Sequence, residues 1–163
     1  MFKKLFFILF LLVFASSCND GKTVYSEYRP TENGSWSKDN TMEFSFSDMD
    51  TINAHNLYIN IRNDNMFPYS NLFLIAELNY PNGETVKDTL GYEMALPDGQ
   101  WMGKGYGSIK ENKLWYKENI VFPISGVYTV QLSHAMRKNG NVDGVMDLMG
   151  IIDVGFQIEK SNQ

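Results

Sequence analysis

Residues 71–94 read NLFLIAELNYPNGETVKDTLGYEM, and the alternation within them decides which class of fold the chain can make. Leu72, Leu74, Ala76 and Leu78 fall on one side of an extended backbone, because successive side chains of a strand point to opposite faces. Phe73 and Ile75 fall on the other side, so the segment is expected to be covered on both faces for part of its length, as a central strand would be. Pro81, Asn82 and Gly83 then supply turn chemistry, the glycine accepting a positive φ without steric cost, and TVKDTLGYEM returns. The stretch predicts a β-hairpin.

The same period of two extends outward in both directions. Met42, Phe44 and Phe46 oppose Glu43, Ser45 and Ser47, and Leu57, Ile59 and Ile61 oppose Tyr58, Asn60 and Arg62. KLWYKENIVF (113–122) is a strand candidate halted by Pro123. SGVYTVQLSH (125–134) aligns Tyr128, Val130, Leu132 and His134, and IIDVGFQIE (151–159) alternates Ile152, Val154, Phe156 and Ile158 with polar residues and glycine. With a weaker candidate at VYSEY (24–28), about eight strands are expected, and no segment of ten or more residues carries apolar side chains at helical spacing. The expected fold class is all-β, a single β-sandwich of jelly-roll or immunoglobulin-like topology. Gly126-Val127-Tyr128 resembles the tyrosine corner of such sandwiches.

Ahead of this body stands a different kind of segment. Lys3 and Lys4 precede ten apolar residues, Leu5 to Phe14, and then Ala15, Ser16, Ser17 and Cys18, the chain's one cysteine. A charged start, a short apolar run and small residues form a secretory signal, and the run is about half of the roughly 20 residues a membrane-spanning helix needs. Small residues ending on cysteine form a lipoprotein box, although Ala15 stands where Leu, Val or Ile is usual. Cys18 is thus the expected lipid attachment site, its thiol consumed as a thioether and its acyl chains anchoring the chain in a membrane. The expected organisation is a signal peptide at 1–17, a lipidated tether at 18–24 and a β-sandwich domain at 25–163. Removing Lys3 and Lys4 leaves 12 basic against 19 acidic side chains, a net charge of −7 that disfavours nucleic acid as a partner.

Candidate chemistry is sparse. PDGQWMGKGYGSIKENKLWY (97–116) gathers glycines and aromatics without the spacing of a phosphate loop. Trp101, Tyr106, Trp115 and Tyr116 are candidates for a partner or glycan surface, against the plainer reading in which Trp101 and Trp115 cover an edge of the core. Asn139, Asn141, Asp143 and Gly144 match the first positions of a calcium loop, but Gly150 stands where a bidentate Glu must be, so a polar turn is expected. Asp48, Asp50 and His55 could be drawn as metal ligands, but His134, the other histidine, belongs to an inward strand face and the set is short of nitrogens. Neither a metal nor another cofactor is expected, no G-x-S-x-G turn occurs, and nothing points to catalysis or a small-molecule ligand.

NLYINIRN (56–63), YSNLFLIAELNYPNG (69–83), DTLGYEMALPDGQWMGKGYGSIKENKLWYKENIVFP (88–123), SGVYTVQLSHAMRKNG (125–140) and GIIDVGFQIEK (150–160) together resemble the gliding-motility lipoprotein GldH family of Bacteroidota. The resemblance implies a non-enzymatic cell-envelope lipoprotein that works with other envelope proteins in surface gliding, a machinery linked to type IX secretion. Its one function-bearing position to carry over is Cys18. Asn19, Asp20, Gly21 and Lys22 lack the dense acidic run used as a surface-export tag in that phylum, so the periplasmic face of the outer membrane is the expected location. A lectin-like module using the 98–116 stretch is the alternative.

Overall fold

The computed structural model describes residues 21–161, so the expected signal peptide and Cys18 lie outside the described residues. Ten strands follow one another: β1 (Thr23–Pro30), β2 (Ser35–Ser37), β3 (Met42–Phe46), β4 (His55–Asn63), β5 (Asn71–Asn79), β6 (Thr85–Glu93), β7 (Lys110–Ile120), β8 (Tyr128–His134), β9 (Asp147–Met149) and β10 (Ile151–Lys160). The eight expected strands are all present. β2 and β9 are additions of three residues each, pairing with one another as a small ribbon. β1 begins at Thr23, so the strand takes up the last two positions assigned to the tether.

The long strands form two four-stranded antiparallel sheets, ordered β1-β10-β4-β7 and β3-β8-β5-β6. Except for the β5–β6 hairpin, every connection between consecutive long strands passes from one sheet to the other. The inner faces share one core. Leu57, Ile59, Ile61, Val154 and Phe156 of the first sheet meet Phe44, Leu72, Leu74, Val130 and Leu132 of the second, all fully buried. Phe44 and Phe46 lie 6.1 and 5.9 Å from Phe156, ring to ring, so contact between the sheets is direct. Trp36 of the ribbon is also fully buried and donates its indole N–H to the Asn40 carbonyl at 2.8 Å.

The expected hairpin forms over 71–93, with Gly83 at φ 86° and the Tyr80 N–H closing on the Glu84 carbonyl at 2.8 Å. One detail differs from expectation. Leu72, Leu74, Ala76 and Leu78 are buried, but Phe73 is exposed and Ile75 half-buried, because among the described residues no further layer covers that face of the sheet. Phe73 instead lies across Gly91 on the neighbouring strand, where a Cβ would stand 2.8 Å from its ring.

Tyr128 makes the local clamp that Gly126-Val127-Tyr128 suggested. Its hydroxyl donates to the Ile124 carbonyl at 2.7 Å and accepts the Ile124 N–H at 3.2 Å, fixing the turn into β8. The open side between β6 and β7 is closed by side chains. Tyr92 donates to the Trp115 carbonyl at 2.7 Å, and Asp88 takes both the Tyr116 hydroxyl at 3.1 Å and the Lys117 ammonium at 2.7 Å.

Candidate functional site

The four aromatics singled out in 98–116 come to four different situations. Trp101 is half-buried in the loop after β6; its indole N–H reaches Asn65 Oδ1 at 3.1 Å and its ring lies 6.0 Å from Phe67. That ties the 94–109 loop to the β4–β5 loop, so Trp101 fastens two loops. Tyr106 projects fully into solvent between Gly105 and Gly107. Trp115 stands half-exposed on the outer face of β7 with its ring 4.5 Å from Tyr58. Tyr116, the next residue, turns inward to the core, and burial together with Asp88 pushes its hydroxyl far above the usual tyrosine range. No single platform unites them.

Around Trp115 the outer face of the first sheet carries a coat of polar and aromatic groups in two clusters. Strand pairing brings Tyr28, Gly155, Asn60 and Lys113 into line across β1, β10, β4 and β7, with Arg62 and Glu111 one step along. The Tyr28 ring covers Gly155, whose Cβ would approach it to 2.8 Å, and the Arg62 guanidinium lies 4.2 Å above that ring. Arg62 also meets Glu111 at 3.3 Å and Asp153 at 3.5 Å, while the Tyr28 hydroxyl donates to Glu111 at 2.6 Å. Desolvation and that carboxylate push the Tyr28 pKa well up. Lys113 lies 4.1 Å over Tyr58 and 2.6 Å from Glu159; Gln157 donates to Glu159 at 2.7 Å and accepts from Asn60 at 2.9 Å. Asn60 is buried although it points away from the core. The alternation reading placed Tyr58, Asn60 and Arg62 outward but missed this coat; its signal is that the outward positions carry amide, guanidinium and aromatic groups that can bond laterally.

A second feature is the loop end of the sheets that lies opposite Thr23. β1 and β4 run away from Thr23 and His55, and the 64–70, 94–109 and 135–150 loops all sit at their far end. Gly150, at φ 80°, packs where a Cβ would come within 2.0 Å of the Phe67 backbone nitrogen and 2.6 Å of the Met66 carbonyl carbon. Met66, Met102, Ile109, Met146 and Met149 are all substantially exposed at this end, with Tyr106 beyond them. Methionines interspersed among glycine and asparagine in loops are the sequence signal for it.

The candidate cation ligands have other duties. Asp50 accepts the N–H groups of Ile52 at 2.8 Å and Asn53 at 3.1 Å, and its pKa is lowered to about 2 by the Asn53 side chain and these two backbone groups. His55 is buried at the start of β4, and burial lowers its pKa. Asn141 closes a turn on the Lys138 carbonyl at 2.9 Å, and Arg137 bridges to Gly144. Among the described residues no group of three His, Cys, Asp or Glu side chains is placed to hold a metal ion.

Comparison with known proteins agrees with the sequence pattern. The model of the GldH lipoprotein family matches residues 23–158. A gliding motility lipoprotein GldH homolog of Christiangramia forsetii is 50% identical over 157 residues, covering 96% of this chain and 95% of that one. The gliding motility lipoprotein GldH of Flavobacterium johnsoniae is 42% identical over 155 residues, 95% of each chain. Among solved structures, the VP2 subviral particle of infectious bursal disease virus aligns with 83% of this chain and 30% of its own, at 13% identity and a TM-score of 0.38, a likeness too distant to bear on activity. On the family match and the two full-length relatives, the chain belongs to the GldH lipoprotein family.

Proposed function

We propose that the chain is a lipid-anchored envelope component of the gliding machinery, acting without catalysis by docking on other envelope proteins, from the periplasmic face of the outer membrane. Its relatives are named gliding motility lipoproteins, which supports the setting. The observation that carries the docking role is the exposed methionine-rich loop end opposite the tether. Methionine is flexible and polarisable and is over-represented at surfaces that accept partners, and contiguous exposed apolar patches mark interaction sites. Acylation at Cys18 raises the local concentration of the domain near membrane partners without any new contact. The eight long strands are read as a jelly roll, a topology supported by the sheet orders and the crossing connections; such a scaffold is compatible with many functions and selects none.

The test is copurification from detergent-solubilised membranes with full-length, acylated protein. Met102→Asp with Met149→Asp is expected to lose the partners retained by the parent chain while leaving the thermal midpoint within a few degrees. Retention of every partner by that variant defeats the docking assignment. A lectin-like reading draws support from one feature, the half-exposed Trp115 against Tyr58 on a flat sheet face. Loss of retention on a glycan column by Trp115→Ala, with partner copurification intact, favours that reading instead.

A further inference from the structure

The end of the molecule nearest the tether has its own apolar surface. β1 starts there at Thr23 and β10 finishes there at Lys160, so the loops at 47–54, 80–84 and 121–127 surround the point at which the chain enters the fold. Lys160 donates its backbone N–H to the Lys22 carbonyl at 2.9 Å, and Ser161 donates to the Ala54 carbonyl at 2.9 Å, which binds chain entry, chain exit and the β3–β4 loop together. Four aliphatic side chains are exposed around this ring: Val24, Ile52, Val121 and Val127. Val24 and Val127 line one shallow groove with Phe46 and Met49.

Four residues separate Cys18 from Thr23. An extended chain gains at most about 3.6 Å per residue, so the five steps between their Cα atoms span no more than about 18 Å. With Cys18 acylated, this end cannot leave the vicinity of the headgroups, and its exposed aliphatics have a low-dielectric phase within reach. The charges around it do not offer an anionic surface any attraction: Asp48, Asp50, Glu84 and Glu118 outnumber Lys22 and Lys160. We infer that the tether-side end rests on the bilayer itself, with Val24, Ile52, Val121 and Val127 entering the headgroup–acyl boundary of a zwitterionic lipid surface, which points the methionine-rich end outward from the membrane. The inference rests on the lipid-anchor reading. It adds an orientation that a flexible tether alone would not impose, and burial of aliphatic groups rather than charge is its driving force.

The experiment uses full-length acylated protein floated with phosphatidylethanolamine–phosphatidylcholine vesicles. Since acylation consumes the native thiol, Ile52→Cys, Val127→Cys and, at the far end, Val142→Cys each place a single free cysteine for an environment-sensitive fluorophore. Labels at 52 and 127 are expected to shift to the blue and to be quenched by lipids carrying a nitroxide on the upper acyl chain, unchanged by added salt, while the label at 142 does neither. Equal water exposure of all three labels on floated protein overturns the orientation and leaves the anchor standing. A blue shift at 52 and 127 without lipid quenching means that a protein covers this end, and also overturns it. Protein that fails to float removes the anchor reading, and the orientation falls with it.

Discussion

The outer faces of the two sheets are built on the same plan and behave differently. Each sets a glycine on one strand beneath an aromatic ring from the next, Gly155 under Tyr28 in the first sheet and Gly91 under Phe73 in the second. On the first face the ring is held at both ends, by Glu111 on its hydroxyl and Arg62 above its plane, with Asp153 also on Arg62, and a second cluster joins Lys113, Glu159, Gln157 and Asn60. On the second, the side-chain contacts are single pairs: Ser45 with Thr129 at 3.2 Å, Gln131 with Glu43 at 2.8 Å, Lys87 with Glu77 at 2.5 Å. A solvated sheet face can thus be finished with clusters of several bonded groups or with single pairs. Networks of charges with defined geometry contribute where isolated surface pairs contribute little.

The glycine pair gives the largest contrast. Gly155→Ala places a Cβ 2.8 Å from the Tyr28 ring and 3.1 Å from the Glu27 carbonyl oxygen, and the ring cannot lift without losing Arg62 and Glu111. A cost of about 2–3 kcal/mol is expected, in the range of overpacking a tight site. Gly91→Ala meets a Phe73 ring that is exposed and can swing aside. Restricting the unfolded chain offsets that small displacement, and a change within about 0.5 kcal/mol of zero is expected. Urea midpoints of the two variants measure both; equal costs would mean that the Tyr28 fastening adds nothing.

Next in size is removal of a charge from each face. Arg62→Met keeps a hydrophobic stem over Tyr28 but leaves Glu111 and Asp153 without their cation, and should cost about 1–2 kcal/mol because three partners are affected. Gln131→Ala removes one exposed hydrogen bond to Glu43 and should cost about 0.5 kcal/mol or less. Adding Glu111→Gln to each separates coupling from sum. With Arg62→Met the double-mutant cycle should show an interaction, and with Gln131→Ala the costs should add.

Much of this architecture is legible in residue order alone. Where one face of a strand is buried and the other solvated, as in β3 and β8, alternation reports both the strand and its inward side. β2 and β9 are too short for any period to register, and Trp36 is buried because a distant ribbon partner covers it, which is a tertiary fact. Phe73 and Ile75 look like core residues from hydrophobicity, yet the missing layer above them cannot be read from their own strand. Among the site candidates, Trp115 is outward and Tyr116 inward, as adjacent strand residues must be. That Trp101 fastens loops depends on Asn65 and Phe67, which are some 35 residues away and give no local cue.

The interiors of the sheets differ too, through one histidine each. His55 stands at the start of β4 in the first sheet and His134 at the end of β8 in the second, 5.5 Å from the Trp36 ring, both buried. Burial lowers both pKa values; for His134 the hydrogen bonds with Trp36 and Met146 backbone oppose it, Lys38 pushes the same way as burial, and Asp147 opposes. A histidine whose folded pKa lies below its unfolded value of 6.5 binds its proton first in the unfolded chain, so stability falls as pH drops from about 6.5 through the folded pKa. His134→Phe removes the proton linkage and should flatten the loss of stability between pH 7 and 5. His55→Phe should remove part of the remaining slope. Urea unfolding at pH 7.5 and 5.5 distinguishes the two; an unchanged acid slope in His134→Phe would mean that the second sheet's histidine does not carry the linkage.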